Sequence, residues 1–354
     1  MIFTTAILKE GKIMNNLAKK INSFLLRFNI LKRLKKDDRI FHPFRVLVYK
    51  EISDHVRSWR FIILIVIIAL TCLGSMFTAL TNIGHAAKPN DPEGAFFFLK
   101  LFTISDGTLP SFLVFISFLG PLLGISLGFD IVNSEQNKGT LHRVLAQPIY
   151  RDYLINAKFT GALIVISVMF FALGFLVMGI GLITIGIPPT VEEFLRIVFF
   201  IILGIIYVAF WLNLSILFSV RFRQPATSAL SGIAVWLFFS VFYPIIVNLV
   251  VKVIAPSATA TTHQILRYEG LRISLLRILP NELFSEAATT LLMPSVRSLG
   301  PLTMEQVYGT IPGPLPIGQS VLLVWPQVTG LIAATILCFV ISYVSFMRKE
   351  IRPR

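Results

Sequence analysis

Charge is what this sequence has least of. Of its 354 residues, 14% are Asp, Glu, Lys or Arg and 55% are hydrophobic; an ordinary soluble domain is about 25% charged. So few charges cannot cover a water-facing surface beside 31 Phe, so the surplus apolar surface must face a bilayer. Length alone would allow two soluble domains, and the apolar runs exclude them. Cysteine is almost missing too. Cys72 and Cys338 both lie inside apolar runs, which excludes a disulfide framework and a cysteine zinc site and leaves small side chains for helix packing. The sequence lacks G-x-x-x-x-G-K-[ST] and H-E-x-x-H, so it offers no phosphate-cradling loop and no zinc-hydrolase motif. The five His, at 42, 55, 85, 142 and 263, are scattered without ligand spacing, which argues against a metal. Nor is there an early secretory signal, since the first long apolar run begins at Phe61. Met14 offers an alternative start.

The places where charge is absent define the fold. No Asp, Glu, Lys or Arg occurs in 61–87, 107–129, 159–191, 197–220, 224–251 or 306–347. About 20 helical residues cross the hydrocarbon, so the runs predict spans at 61–82, 108–130, 157–183, 195–219, 228–251 and 321–346. Lys and Arg number fourteen in 1–60, four in 130–158, two in 221–223 and four in 348–354, with eight elsewhere. Basic segments stay cytoplasmic, which places both termini inside a cell membrane crossed six times. The net charge of +14 thus flanks apolar runs instead of gathering on a soluble face, and nucleic acid is not an expected partner. Gly120, Pro121, Gly124, Gly128, Gly174, Gly179 and Gly181 inside the spans allow close helix contact, which lipid tolerates.

The expectation is therefore an all-α membrane protein. Residues 1–43 form a basic extension, whose stretch 15–36 repeats Leu17, Ile21, Phe24, Phe28 and Leu31 at helical spacing, suited to an anionic leaflet or to a disordered tail. Residues 44–59 form an amphipathic interfacial entry helix that feeds the first span at Trp59, and 60–347 form the six-span domain. The outer loop 252–320 is half apolar, with a helix from Asn281 as N-cap to about Leu292 before Pro294; it is expected to pack on the outer face. A cytoplasmic tail, 348–354, ends the chain.

Within the spans only neutral polar groups appear, among them Asn213, Ser215, Asn248 and Gln327. Ion-coupled carriers keep a charge there, so energy for transport would come from outside the chain. Helix–helix hydrogen bonds account for these four as well as a cargo would. The richest segment is the loop between spans 2 and 3. Leu141, Val144 and Leu145 make an apolar stripe, Glu135, Lys138 and Arg143 surround it, and Pro148 forces a turn. A bare connector needs neither the length nor the stripe, which predicts a docking helix for a soluble partner.

The run Glu135, Gly139-Thr140-Leu141, Leu145, Pro148, Arg151 and Lys158 resembles the cytoplasmic signature of ABC-2-type transporter permeases. Lys50-Glu51 and Arg57 ahead of span 1 are similar to that family's interfacial entry helix, and the likeness covers 44–354. The resemblance implies that the loop is a coupling helix seated on a separate ATPase subunit. Glu135 and Arg151 would then hold its ends, and Leu141 and Leu145 would anchor it. It implies an ABC transporter permease, an exporter, working as two permease copies with two ATPases, the partner holding ATP and Mg and this chain binding no cofactor and catalysing nothing. Two other readings stay open. One is a scaffold that anchors another complex. The other is a lipid-modifying enzyme, for which Glu282 and Glu286, four apart on one helix face, are the nearest approach to an acid–base pair.

Overall fold

The computed structural model describes residues 43–86, 96–105, 110–141, 146–147, 149–256, 260–300 and 313–349. The chain divides into two units, Met1–His42 and Pro43–Arg354, and every described residue belongs to the second. The amphipathic stretch 15–36, Leu145 and Pro148 lie outside the described residues. Within the described residues all regular structure is helical, and six helical stretches are long and apolar enough to cross a membrane: Trp59–Thr81, Phe112–Asn137, Arg151–Ile185, Val191–Arg221, Pro225–Val253 and Ile317–Met347.

The order is α1 (Pro43–Val56), α2 (Trp59–Ala86), α3 (Phe97–Thr103), α4 (Phe112–Gly128), α5 (Asn133–Asn137), α6 (Arg151–Ile185) and α7 (Val191–Arg221). Next come α8 (Pro225–Leu237), a π-helical turn at Phe238–Phe242, and α9 (Tyr243–Val253); α10 (Thr262–Leu276), α11 (Pro280–Leu292) and α12 (Ile317–Met347) follow. The entry helix begins at Pro43, which suits the first turn because its N–H would be unpaired anyway. It stops at Val56, and two residues on the Ser58 hydroxyl accepts the Phe61 N–H at 3.3 Å and caps α2.

The core is α7. It packs on α4, α6, α11 and α12, and Phe200, Tyr207, Trp211 and Leu212 on it are fully buried. Small residues set the α4 contact. A Cβ on Gly124 would sit 2.7 Å from the Val208 carbonyl oxygen, and one on Gly128 would sit 2.8 Å from Ser215 Cβ. Only glycine lets the two backbones approach so closely, in the manner of small-residue contacts in lipid. Pro121 in α4 cannot donate to the carbonyl four residues back, and that carbonyl, Ser117 O, lies 2.9 Å from the Tyr207 hydroxyl. Pro244 follows the π-helical turn, a usual place for the helix ladder to slip.

Four expectations need correction. The second span starts at Phe112, because α3 fills the space before it: Phe98, Leu99, Leu101 and Phe102 are buried, and Phe102 packs edge-on against Phe112 and Phe200. The third span begins at Arg151, nearly two turns before the expected start at residue 157. The loop after α9 does not lie across the end of the bundle. Helix α10 runs back along α9, where Arg272 Nε donates to Asn248 Oδ1 at 2.9 Å and the Tyr243 hydroxyl donates to the Leu275 carbonyl at 3.2 Å. Helix α11 then returns along α7, from Asn281 beside Tyr207 at the middle of α7 to Leu291 beside Arg196 near its start. Its apolar face, Phe284, Ala287, Ala288 and Leu291, is buried and drives it inward. Asn281 is not its N-cap; Leu279 is, and Pro280 takes the first helical position.

Candidate functional site

The residues singled out at the α1 end of the bundle come together. Lys158 of α6 lies 3.0 Å from Glu51 of α1 and 2.9 Å from Glu135 of α5. Lys50 lies 3.1 Å from Glu51 and 2.8 Å from the same Glu135 oxygen. Two cations and two anions thus alternate in a four-membered, net-neutral ring that joins three separate segments. The Lys158 side chain is 2% exposed, Glu51 6%, Glu135 16% and Lys50 45%, so the Lys158–Glu51 side is the desolvated one. Burial would raise the Glu51 carboxyl, but the charges and hydrogen bonds of Lys158 and Lys50 outweigh it and hold the group below the usual carboxylate value. For Lys50 burial would lower the ammonium, and Glu135 and Glu51 together keep it above the ordinary lysine value. His55, one turn along α1, is pushed down by burial and by Lys158, against the pull of Glu51, Asp130 and Asp54. Its Nε2 is buried without a partner among the described residues. Gly161 on α6 makes the ring possible, since a Cβ there would meet Glu51 Cβ at 2.8 Å.

The loop between the second and third spans continues that span as α5 and then turns at Gly139, whose φ of +68° is the left-handed conformation that glycine adopts freely. Thr140 hydrogen-bonds back through its hydroxyl to the Glu135 carbonyl at 3.2 Å, and helix resumes at Thr140–Leu141. Ser219 of α7 accepts the N–H groups of Val132 and Asn133 at 3.0 and 3.3 Å, and Asn137 donates to the Arg223 carbonyl at 3.0 Å. The loop is therefore fastened to α7 as well as to α1 and α6.

One reading of this loop is revised. Leu141 is 1% exposed; its side chain is covered by this chain itself and is not free to enter a partner's groove. Periodicity gives a stripe but not the neighbour that covers it. Arg151, at the loop's other end, stands apart from the ring. It donates to the Lys349 carbonyl at 3.4 Å and so ties α6 to the end of α12. Arg57 is exposed. Among the described residues, those of the loop left open are Asn137, Lys138, Ala146, Gln147 and Tyr150, and Tyr150, 74% exposed and edge-on to Tyr153, is an aromatic that the sequence pattern did not single out. A second ion pair also went unnoticed, Arg60–Asp130 at 2.6 Å with the guanidinium over the Phe129 ring. Its signal was available: both residues border charge-free runs on the same side.

The four polar groups inside the spans all bridge helices. Asn213 Nδ2 donates to the Thr335 carbonyl at 3.3 Å, and the Ser215 hydroxyl donates to the Ile125 carbonyl at 3.0 Å. Asn248 accepts from Arg272, and Gln327 donates to Glu286 at 3.1 Å. Glu286 also takes Arg277 at 2.9 Å, so it is an ion-pair partner and no free acid–base group faces Glu282 from it. At the opposite end of the bundle, Glu193 closes a capping box with Thr190 and accepts the Phe98 N–H at 3.0 Å, holding the first turn of α3. Arg196, fully buried, binds Glu192, Ser320 and the carbonyls of Leu291 and Leu315. The Thr190-x-x-Glu193 spacing could have revealed the first of these. Among the described residues no three His, Cys, Asp or Glu groups gather to hold a metal ion.

One comparison places the chain. A family model described as ABC-2 family transporter protein matches residues 45–351. No curated protein matches.

Proposed function

The chain belongs to the ABC-2 transporter family, and from that premise we propose that it is the permease subunit of an ATP-driven exporter, moved by a separate ATPase docked on the loop between its second and third spans. Two copies with two ATPase subunits make the working unit, the partner holds ATP and Mg, and both termini face the cytosol of a cell bounded by this membrane. The ring of Lys50, Glu51, Glu135 and Lys158 carries the reading. A mobile surface loop has no need of a desolvated ion-pair network that costs several kcal/mol to bury. A loop that must deliver a push to α1 and α6 without slack does. Closure of the ATPases would move the loop as a rigid body, and the ring and Ser219 would carry that motion into spans 3 and 4.

With Leu141 internal, the surface offered to the partner is Asn137, Lys138, Ala146, Gln147 and Tyr150, and Tyr150 is its aromatic anchor. Aromatic anchors in such contacts are worth about 2 kcal/mol or more. Tyr150→Asp is therefore expected to weaken association with the ATPase by roughly 30-fold and to abolish stimulation of ATP hydrolysis, with the permease still folded. Affinity purification of the full chain with its co-expressed ATPase measures both quantities. Undiminished stimulation in Tyr150→Asp would remove this surface from the mechanism. Recovery of the chain with other proteins and no Walker-motif subunit would make it a scaffold.

A further inference from the structure

Cations at the α1 end fall into two groups. Lys50, Lys158 and Arg60 each meet a carboxylate within 4 Å. Arg45, Arg57, Lys138, Arg151, Arg221, Arg223, Arg348 and Lys349 meet none among the described residues. The last five of these are not scattered. The Lys349 ammonium donates to the Val220 carbonyl at 2.5 Å, in the last turn of α7, where unpaired carbonyls favour a cation. Arg151 at the start of α6 donates to the Lys349 carbonyl at 3.4 Å. Arg221 and Arg223 follow Val220, and after burial they are what disfavours the Lys349 charge, so the three lie within electrostatic reach of one another. Four helix ends thus converge: the starts of α6 and α8 and the ends of α7 and α12.

We infer that Arg221, Arg223 and Lys349, flanked by Arg151 and Arg348, form a site for the phosphate of an anionic lipid headgroup. Like charges held together without a counter-ion raise the free energy of the site, and an anion removes that cost. Two exposed guanidinium groups beside an ammonium suit a phosphate, which guanidinium forks bind with two parallel hydrogen bonds. Depth selects lipid as the source. The charge-free run 224–251 starts one residue after Arg223, and the run 306–347 ends one residue before Arg348, so the cluster sits at the edge of the hydrocarbon, where headgroup phosphates lie. Leu230, Val344 and Met347, all exposed at the same helix ends, offer apolar surface for the acyl chains. Asn137 of the docking loop bonds the Arg223 carbonyl, so an occupied site would brace the loop from below.

The test uses the full chain in detergent and in phosphatidylcholine nanodiscs with or without phosphatidylglycerol. Native mass spectrometry is expected to show phosphatidylglycerol retained over phosphatidylcholine. The triple variant R221Q/R223Q/K349Q should lower that preference by about 100-fold, on the scale of three surface cations. The triple variant R45Q/R57Q/K138Q, with the same change of net charge at the same end, should keep it. Should the first triple variant unfold, R221Q and R223Q singly, at exposed positions, give the same reading in smaller steps. Equal losses in both triple variants, or no preference in the wild type, would overturn the site. Displacement of the lipid by millimolar inorganic phosphate would reassign it to free phosphate, and loss of ATPase association without loss of lipid would reassign it to the protein partner.

Discussion

At the scale of single residues, the four-charge ring sets up a clear inequality. Lys158 and Glu51 are desolvated while Lys50 is nearly half exposed, so the two lysines are not equivalent. Lys158→Met leaves Glu51 with one partner on its wet side and is expected to cost about 3–5 kcal/mol. Lys50→Met should cost nearer 1 kcal/mol, since exposed pairs are worth little. Thermal unfolding of the detergent-solubilised protein by intrinsic fluorescence orders the two, and equal losses would contradict the ring's burial pattern. The same group predicts a pH response. Depressed in the fold, His55 resists the proton that the unfolded chain accepts below the ordinary value of 6.5, so stability falls as pH drops through that value. The Glu51 carboxyl, also depressed, loses its contribution only further down, below the ordinary 4.5. A melting temperature that declines from pH 7 to pH 5 in the wild type and stays level in His55→Gln would show the histidine term alone. Each member of the ring was legible in the sequence as a charged residue in a patterned segment. Their meeting was not, because Glu51 and Lys158 are separated by 107 positions and nothing local encodes that contact.

At the scale of elements, proline and tyrosine explain one another. Pro121 leaves the Ser117 carbonyl without its helical donor, and Tyr207 reaches it while also lying 2.7 Å from Asn281. Tyr207→Phe removes the single O–H proton that these two acceptors share and is expected to cost about 1–3 kcal/mol. Tyr207→Phe combined with Pro121→Ala, which restores the missing N–H, should recover part of the loss; no recovery would break the link between them. Stacking of the Tyr207 ring on Phe284, 4.4 Å away and nearly parallel, should survive in both. Gly124→Leu admits no such repair, because its new side chain would collide with the Val208 and Leu212 backbone. That variant should fail to yield monodisperse protein on size exclusion. The limits of α11 could be read from Pro280 and Pro294, which punctuate its ends. Its depth could not, since the sequence marks where a helix stops and not what its apolar face will find. Helix α3 was missed for a related reason: seven residues, Phe97–Thr103, are too few to show a period.

For the whole molecule, the proposed topology puts Gln147 and Arg267, both exposed, on opposite sides of the membrane. In a background with Cys72 and Cys338 replaced by Ala, a membrane-impermeant maleimide applied to intact cells is expected to label Arg267→Cys and spare Gln147→Cys. The reverse pattern would invert the chain and detach the loop from any cytosolic ATPase. Span number was readable from charge-free runs alone, because a bilayer punishes charge wherever it falls. Span ends were less so, and α6 shows what that hid. Its 35 residues extend for about 52 Å, whereas the hydrocarbon is about 30 Å thick. Roughly two fifths of the helix is therefore more than the hydrocarbon can hold, and its first turns are gripped by α1 through Glu51 and Gly161. Under the proposed coupling such a rod would act as a lever with its fulcrum at the membrane surface: a small sideways displacement of Arg151 would swing the buried arm the opposite way, with the ring as the hand on its handle.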